Sequence, residues 1–399
     1  MKFFLHPIIL FLAGSFIGLS PYFFDSRYFD MYRTFVFDEQ VLWVYMLGIV
    51  SFILGAGFLQ LMPTKTKLEI NNSNNTKDLN LFISLLLVLS FLVFVKIISM
   101  YGMLPILSIL SGASDIAFVN ATQKSTGGGL YGVFSLLVFS LIILFPYSVI
   151  NKKKKYSGSK IFWIHLFLLF IYVTYSGKRQ MIFIFITFVC TYLYIYYCRH
   201  ADLKALKKIS KVSVVVGGVG VAFFLLVGLI RTSLIDEKVS LLDPVIQYAT
   251  LPYMNLTNIV MQQESNLYSY SFTAFYESIF AFLPSFFKTS FFENPQSLLS
   301  MPLIEITSPS TVYGILIWNF GYVGVASYLF FLGFITHYLY KKAFYGRSEI
   351  FIALYSLTVW PLLAVHTYNH FINFTFYLLP ILLIILGDIL YKYLPNKRI

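Results

Sequence analysis

Long apolar stretches are the feature of this chain that most restricts its fold. Of its 399 residues, 58% are hydrophobic and only 12% are charged, which excludes an ordinary soluble domain. A helix needs about 20 apolar residues to cross the hydrocarbon core of a bilayer. Stretches of roughly that length lie near 3–24, 41–62, 80–99, 129–150, 161–175, 181–198, 212–230, 311–337, 350–366 and 375–393. The sequence therefore predicts an all-α polytopic integral membrane protein, a single transmembrane domain over 1–399 with about ten spans.

The charged residues are sorted between the two sides of this predicted bundle. If both termini lie on one side, the segments on that side carry 20 of the 29 Lys and Arg residues. That side then has a net charge of +15, and the opposite side has a net charge of −3. Because cytoplasmic loops are enriched in Lys and Arg, we expect both termini in the cytoplasm. The basic excess does not indicate nucleic-acid binding, because it is confined to short inner loops such as NKKKK at 151–155.

The longest predicted loop, 231–310, lies on the outer side between spans seven and eight. Nine aromatic residues fall within 268–287, among them Tyr276, and Pro244 and Pro252 interrupt the preceding stretch. We expect short amphipathic helices here, lying in or near the outer membrane interface. The aromatic residues either anchor the loop as an interfacial belt or form a platform on which the apolar faces of sugar rings stack. The sequence favours the two interpretations equally.

Three basic residues at the predicted outer ends of spans stand out against the acidic outer surface. Lys178 and Arg179 lie between spans five and six, and Arg231 ends span seven. Each is either a helix terminus at the lipid headgroups or a cation that binds a phosphate group, for which the planar guanidinium of arginine is well suited. The case for phosphate binding is stronger for Arg179 than for the other two residues. The span before it is short, which would draw SGKRQ at 176–180 into the membrane, where irregular backbone is tolerated beside a cavity.

Two histidines reach the outer face in the predicted topology, His366 and His370 of the HTYNH segment. Their spacing puts them on one side of a helix, where an imidazole could accept a proton from an attacking hydroxyl group. Each is otherwise an ordinary hydrogen-bonded residue at a helix end. Alternative bases lie in the long loop, namely Glu277, Asp243 and Glu264. The histidine pair could also bind a metal ion, but no matched carboxylate lies nearby in sequence, so we expect neither a metal nor another cofactor.

Three short stretches give the chain a likeness to a known family. TYSGKRQMIFIF at 174–185 resembles the Gly-x-Arg element of O-antigen polymerase-like proteins. SPSTVYGILIWNFGYVGVASYLFFLGF at 308–334 is similar to another of their segments, with an Asn-Phe-Gly-x-x-Gly core at the start of a span. Gly-Leu-Ile-Arg at 228–231, followed by the long outer loop, adds to the resemblance. The family is that of the Wzy-type oligosaccharide repeat-unit polymerases, which are related in architecture to O-antigen ligases and resemble the C-type membrane glycosyltransferases.

The resemblance implies a glycosyltransferase that polymerises undecaprenyl-diphosphate-linked repeat units at the outer face of the bacterial cytoplasmic membrane. Its product would be O antigen, capsule or exopolysaccharide. Arg179 matches the arginine of the Gly-x-Arg element, and Arg231 stands at the start of the long loop. Lys178 occupies a position that is usually small, so either Lys178 or Arg179 points at the diphosphate. The implied partners are the lipid-linked glycan and the lipid bilayer, with a chain-length regulator and a flippase of the same pathway.

Three alternative functions stay open. An O-antigen ligase uses the same donor and typically carries a histidine in its long loop, whereas 231–310 contains none. A lipid-monophosphate-sugar transferase needs an acidic pair in the first outer loop, for which Asp38 and Glu39 are candidates. A polysaccharide flippase or transporter would usually have more spans and a cationic cavity, or acids buried in mid-span. The polymerase is the hypothesis that the sequence favours.

Overall fold

The described part of the chain is entirely helical. A computed structural model of the protein describes residues 3–20, 39–59, 180–233, 243–265, 311–346 and 350–367, with scattered residues within 88–95 and 371–385. The helices bounded there are α1 (Pro7–Leu19), α2 (Glu39–Phe58), α3 (Gln180–Arg199), α4 (Leu203–Ser233), α5 (Asp243–Ser265), α6 (Val312–Tyr345) and α7 (Ile350–Leu363). The prediction of an all-α protein is confirmed for these residues. Predicted spans four and five lie outside them.

Six of these helices coincide with predicted spans, and two of them could cross a membrane. By length and composition, α2 and α6 are long and apolar enough to do so, while α1 and α7 are shorter apolar helices. Their outward faces are apolar as well: Trp43 on α2 is 70% exposed and Val323 on α6 is 71% exposed. A helix that is apolar on all sides is typical of a membrane protein or of the core of a large one. The helices therefore suit a lipid environment.

Helices α2 and α6 lie in close backbone contact, and glycines allow it. A Cβ atom added at Gly55 would lie 1.9 Å from the carbonyl oxygen of Phe330. One added at Gly333 would lie 2.2 Å from the carbonyl oxygen of Phe52. Small residues at such contacts let two helix backbones approach, which is how membrane helices gain van der Waals packing without a hydrophobic driving force. Phe52 then stacks on Phe11 of α1, with ring centroids 4.0 Å apart, and extends the contact to a third helix.

Helix α6 is folded sharply at Gly321. This glycine has φ 62° and ψ −161°, a conformation that residues with a side chain rarely adopt. A Cβ atom added at Gly48 of α2 would lie within 2.6 Å of both Tyr313 and Leu329. In a straight helix those two residues would be about 24 Å apart along the axis. The arm before Gly321 therefore folds toward the arm after it, and the Asn-Phe-Gly-x-x-Gly core is the corner. Its second glycine, Gly324, leaves room for the side chain of Phe320.

The prediction that prolines break the start of the long loop into short pieces is wrong. Residues Asp243–Ser265 form one helix, α5, with Pro252 inside it. Pro244 stands in the first turn, where a missing N–H group costs no hydrogen bond. The middle of α5, from Thr250 to Val260, is almost entirely buried and packs against α1, α2 and α6. Neighbouring helices and polar side chains can satisfy the backbone that a proline leaves unpaired. This part of the predicted loop thus belongs to the helical bundle.

The helix ends that the charge pattern assigns to the cytoplasm lie together at one end of the bundle. Near the end of α6, the Lys341 ammonium group donates a hydrogen bond to the carbonyl oxygen of Leu59, just after α2. At the end of α3, the guanidinium of Arg199 donates at 2.6 Å to the carbonyl oxygen of Lys342. Cations at a helix C-terminus complement its partial negative charge. We call this region the cationic end.

A buried histidine also lies near the cationic end. His337 of α6 is 2% exposed, and its ring lies 5.1 Å from that of His6, which precedes α1. Neither ring nitrogen of His337 has a hydrogen-bond partner among the described residues. The ring of Tyr340 lies 5.1 Å from His6 and 5.9 Å from His337, so the three rings form one aromatic contact. These three rings pack between the start of α1 and the end of α6.

Candidate functional site

A buried polar group forms where four helices meet, away from the cationic end. We call it the tyrosine–histidine cluster; its members are Ser15 and Gly18 of α1, Tyr45 of α2, Tyr313 of α6 and His366, which follows α7. Gly18 lies roughly 17 Å along α1 from Pro7, at about 1.5 Å per residue. The helix ends at this level are those that the charge pattern assigns to the outer side. The cluster therefore lies toward the side on which the sequence predicts the chemistry.

Backbone contacts hold the start of α6 against the end of α7. The N–H group of Val312 donates at 3.0 Å to the carbonyl oxygen of Val365. Thr311 caps α6, because its hydroxyl accepts a hydrogen bond from the N–H group of Gly314 at 3.0 Å. Helix α7 ends at Leu363 and turns over residues 364–367, which brings His366 back toward α1. The position of His366 is thus fixed by backbone hydrogen bonds at both neighbouring helix ends.

Two glycines of α1 allow the turn after α7 to pack closely against this helix. A Cβ atom added at Gly14 would lie 2.6 Å from the carbonyl oxygen of Leu362. One added at Gly18 would lie 2.5 Å from the hydroxyl oxygen of Tyr45 and 2.9 Å from the Cβ atom of His366. The phenol of Tyr45 and the side chain of His366 therefore meet over Gly18. Any larger residue at that position would push them apart.

The tyrosines of the cluster are fully buried and have different partners. The hydroxyl groups of Tyr313 and Ser15 are hydrogen-bonded at 3.0 Å. The ring of Tyr45 lies 4.4 Å from that of Tyr313 and 6.5 Å from that of Tyr253, so α5 contributes one wall. The hydroxyl group of Tyr45 has no hydrogen-bond partner among the described residues. A buried hydroxyl group without a hydrogen-bond partner lowers the stability of the fold by roughly 1–3 kcal/mol. A bound substrate hydroxyl group would remove this cost.

His366 carries an imidazole, which can accept a proton when it is neutral. Its side chain is partly buried and interacts with the backbone of Leu363. A neutral imidazole has one nitrogen that accepts and one that donates, so His366 can accept a proton or orient a hydroxyl group. Asn319, beside the corner of α6, offers a second acceptor: its amide nitrogen donates to the carbonyl oxygen of Ile315, while Oδ1 is buried without a partner in the described residues.

The structure describes the position of His366 among the predicted site residues, and only the backbone of Arg231. Arg231 lies in the last turn of α4, which ends at Ser233. Asp243 and Glu264, the alternative bases, lie at opposite ends of α5. The other predicted site residues fall outside the described residues: Lys178, Arg179, Tyr276, Glu277 and His370. Within the described residues, no group of three or more His, Cys, Asp or Glu side chains could hold a metal ion.

Sequence analysis did not predict the tyrosines or Ser15 of the cluster, although one pattern indicates that the first helix is closely packed. Gly14 and Gly18 form a Gly-x-x-x-Gly pattern on α1, which marks a face where another helix approaches closely. That pattern could have identified the first helix as part of a packed site. It could not have named Tyr45 or Tyr313, because nothing in their local sequence distinguishes them from the other tyrosines of the chain.

Comparisons with protein-family models, with curated proteins and with solved structures give no match to this chain.

Proposed function

We propose that this protein is a membrane glycosyltransferase that polymerises undecaprenyl-diphosphate-linked oligosaccharide repeat units at the outer face of the bacterial cytoplasmic membrane. The proposal rests on the order of the Gly-x-Arg, Gly-Leu-Ile-Arg and Asn-Phe-Gly-x-x-Gly segments around the long loop. We place about ten spans in the membrane, with both termini in the cytoplasm. The loop 231–310 lies outside, with α5 packed into the bundle.

The observation that best supports the proposal is the surroundings of His366. It is held beside the phenol of Tyr45, at a level of the bundle removed from the cationic end. The folded helix α6 contributes Tyr313 on one arm and the acceptor oxygen of Asn319 at the corner. Broken helices within a membrane protein are tolerated where they line a cavity or are buried in protein. The buried acceptor oxygen of Asn319 at this break suits the binding of a sugar hydroxyl group.

In the proposed reaction, a hydroxyl group of the acceptor repeat unit attacks the anomeric carbon of the donor glycan. The new glycosidic C–O bond forms while the bond from the anomeric carbon to the diphosphate oxygen breaks, and undecaprenyl diphosphate leaves with the electron pair. The hydroxyl proton passes to a base. We assign that role to His366, with His370 and Glu277 as the other candidates.

Cations bind the leaving diphosphate, on which negative charge builds as the bond breaks. We assign this to the residues at the predicted outer ends of spans five to seven, namely Lys178, Arg179 and Arg231. Guanidinium groups can grip two phosphate oxygens in a fork, which an ammonium group cannot reproduce. We further propose that Tyr276 stacks on a sugar ring of the substrate.

Deletion of the gene tests the reaction class. Lipid-linked and surface glycans would be separated by size in the parent and the deletion strain. Loss of a polymerase leaves single repeat units on the acceptor. Polymer that accumulates on undecaprenol would instead indicate a ligase, and repeat units trapped in the cytoplasm would indicate a flippase. Either of those two results would overturn the proposal.

Substitutions test the assigned roles. We expect His366→Ala to reduce polymer formation by roughly 10²–10⁴-fold if the imidazole is the base. Alanine keeps the Cβ atom that lies beside Gly18, so the packing there is preserved. The matched control is His200→Ala, at an exposed histidine next to the last turn of α3. If both His366→Ala and the double variant with His370→Ala give a normal glycan ladder, the base must be Glu277, Asp243 or Glu264.

The arginines require a different test, based on geometry. Arg179→Lys and Arg231→Lys keep the positive charge but lose the fork, so each should abolish long chains. Loss of one charged partner in a water-poor site costs about 2–4 kcal/mol, or roughly 10²–10³ in rate. Protein level in the membrane is measured in parallel. Two lysine variants that polymerise as well as the parent would show that these arginines only anchor helix ends.

A further inference from the structure

A stripe of four lysines runs along the first part of α4, next to the cationic end. Lys204, Lys207, Lys208 and Lys211 are all exposed. At 100° per residue they fall within an arc of about 100° on one face of the helix. We call this face the lysine stripe.

The opposite face of the same turns holds the helix to the bundle. Leu206 and Ile209 are partly buried and pack against the hydrophobic core. Their directions differ from the centre of the lysine stripe by roughly 150°. The stripe therefore faces away from the protein, and the orientation is set by packing.

The lysine stripe continues along α4 as an apolar stripe. Val214 is 72% exposed and Val215 is 64% exposed, and both lie on the lysine side of the helix. Gly218 follows on that side and is exposed as well. One outward face thus changes from lysine to aliphatic within about one turn, as expected of a helix that passes from lipid headgroups into lipid tails.

The position of the lysines on α4 also favours an anionic ligand. Lys204 lies in the first turn of the helix, where the helix dipole disfavours cations and attracts anions. The carboxylate of Asp202 accepts a hydrogen bond from the N–H group of Ala205 and caps this end. Within the described residues, no ion pair neutralises the lysine stripe.

We infer that the lysine stripe binds the headgroups of anionic phospholipids in the cytoplasmic leaflet. The inference rests on the membrane placement proposed above and is independent of the glycosyltransferase activity. Phosphodiester groups of the lipid lie at the depth of the stripe, while acyl chains contact Val214 and Val215. A lipid supplies both parts of this face, whereas a free phosphate ion would use only the lysines.

Lipid titration of the full-length protein in a neutral detergent tests the inference. Short-chain phosphatidylglycerol and phosphatidylcholine of equal chain length are the probes, and apparent thermal stability reports binding. We expect the parent to bind phosphatidylglycerol at least tenfold more tightly than phosphatidylcholine. The variant K204Q/K207Q/K208Q/K211Q should lose most of this preference. The matched control removes the same charge elsewhere, with glutamine at Lys152, Lys153, Lys154 and Lys155, and should keep it.

Two further measurements separate the alternatives. Arginine at all four stripe positions should keep the preference, which guards against a glutamine variant that merely misfolds. Inorganic phosphate at millimolar concentration should not displace the lipid. The inference is overturned if the glutamine stripe variant keeps the preference, if the control loses as much as the stripe variant, or if phosphate competes. None of these readouts depends on glycan synthesis, so a failed polymerase assignment leaves the result intact.

Discussion

Substitution of Gly55 by alanine tests the backbone contact between α2 and α6. The added Cβ atom would lie 1.9 Å from the carbonyl oxygen of Phe330, and the carbonyl carbon and Cα atom of Phe330 also lie within 3.0 Å. All three are backbone atoms, so no side chain can rotate away. The helices must separate by roughly 1 Å, and a gap of that size forfeits about a quarter to a half of the dispersion energy of each contact.

The expected change in the free energy of unfolding has two opposing contributions. Overpacking of this kind costs typically about 1–3 kcal/mol. Alanine gains up to about 1 kcal/mol over glycine in a helix. Gly57 is the matched control, because it lies on the same helix and a Cβ atom added there meets nothing within 4 Å. Gly57→Ala should therefore be neutral or stabilising. The helix-propensity gain is common to both variants, so they should differ by the overpacking cost alone, about 1–3 kcal/mol.

The assay is thermal unfolding of the purified protein in detergent. Size-exclusion chromatography measures the fraction that stays folded after heating, and both variants are heated at the same rate. For a chain of 399 residues the expected difference between the two variants is about 1–4 °C. Gly333→Ala, on α6, should lower the unfolding temperature in the same way, since the added Cβ atom would lie 2.2 Å from the carbonyl oxygen of Phe52 on α2. If Gly55→Ala and Gly57→Ala unfold at the same temperature, the close packing of α2 on α6 is wrong.

Three other predictions follow from the fold. Gly321→Ala should lower the free energy of unfolding by about 1–3 kcal/mol, because the φ of 62° at Gly321 strains any side chain. Gly217→Ala, with open space around the added Cβ atom, should not lower it, and equal thermal midpoints for the two variants would contradict the corner in α6. His337→Phe should leave the midpoint unchanged or raise it, because both buried ring nitrogens lack a partner in the described residues; a loss above about 2 kcal/mol would show that the imidazole is bonded. In a cysteine-free background, impermeant thiol reagents should label single cysteines at positions 240 and 295 in spheroplasts but spare one at 155, and the reverse pattern would invert the topology.

The positions of most helices were predictable from apolar stretches of about the length that a bilayer requires. A helix must hide its backbone over about 30 Å of hydrocarbon, so apolar stretches of matching length mark it in the sequence. That requirement located α2 and α6 to within a few residues at their N-terminal ends. Charge sorting works for a similar reason, since it depends on loop composition and not on packing. The gathering of Lys341 and Arg199 at one end agrees with that pattern.

Helix α5 was missed because its pattern is neither strongly apolar nor free of proline. Residues such as Asn255 and Thr257 would mark a loop in water, yet both are buried here. The hydroxyl of Thr257 donates to the carbonyl oxygen of Tyr253 inside the helix, so its polar group is satisfied locally. Surrounding helices supply the environment that makes this stretch helical. No local property of residues 243–265 contains that information.

The sequence by itself determined the helical class and named the candidate histidine. Only the tertiary structure decided which faces meet. Ser15 and Tyr313 lie 298 residues apart and share a hydrogen bond, and Gly18 brings Tyr45 to His366. A helix that is apolar all round carries no periodic signal to say which side packs and which side meets lipid. That choice depends on glycines that let backbones approach and on the corner at Gly321, and both act through contacts distant in sequence.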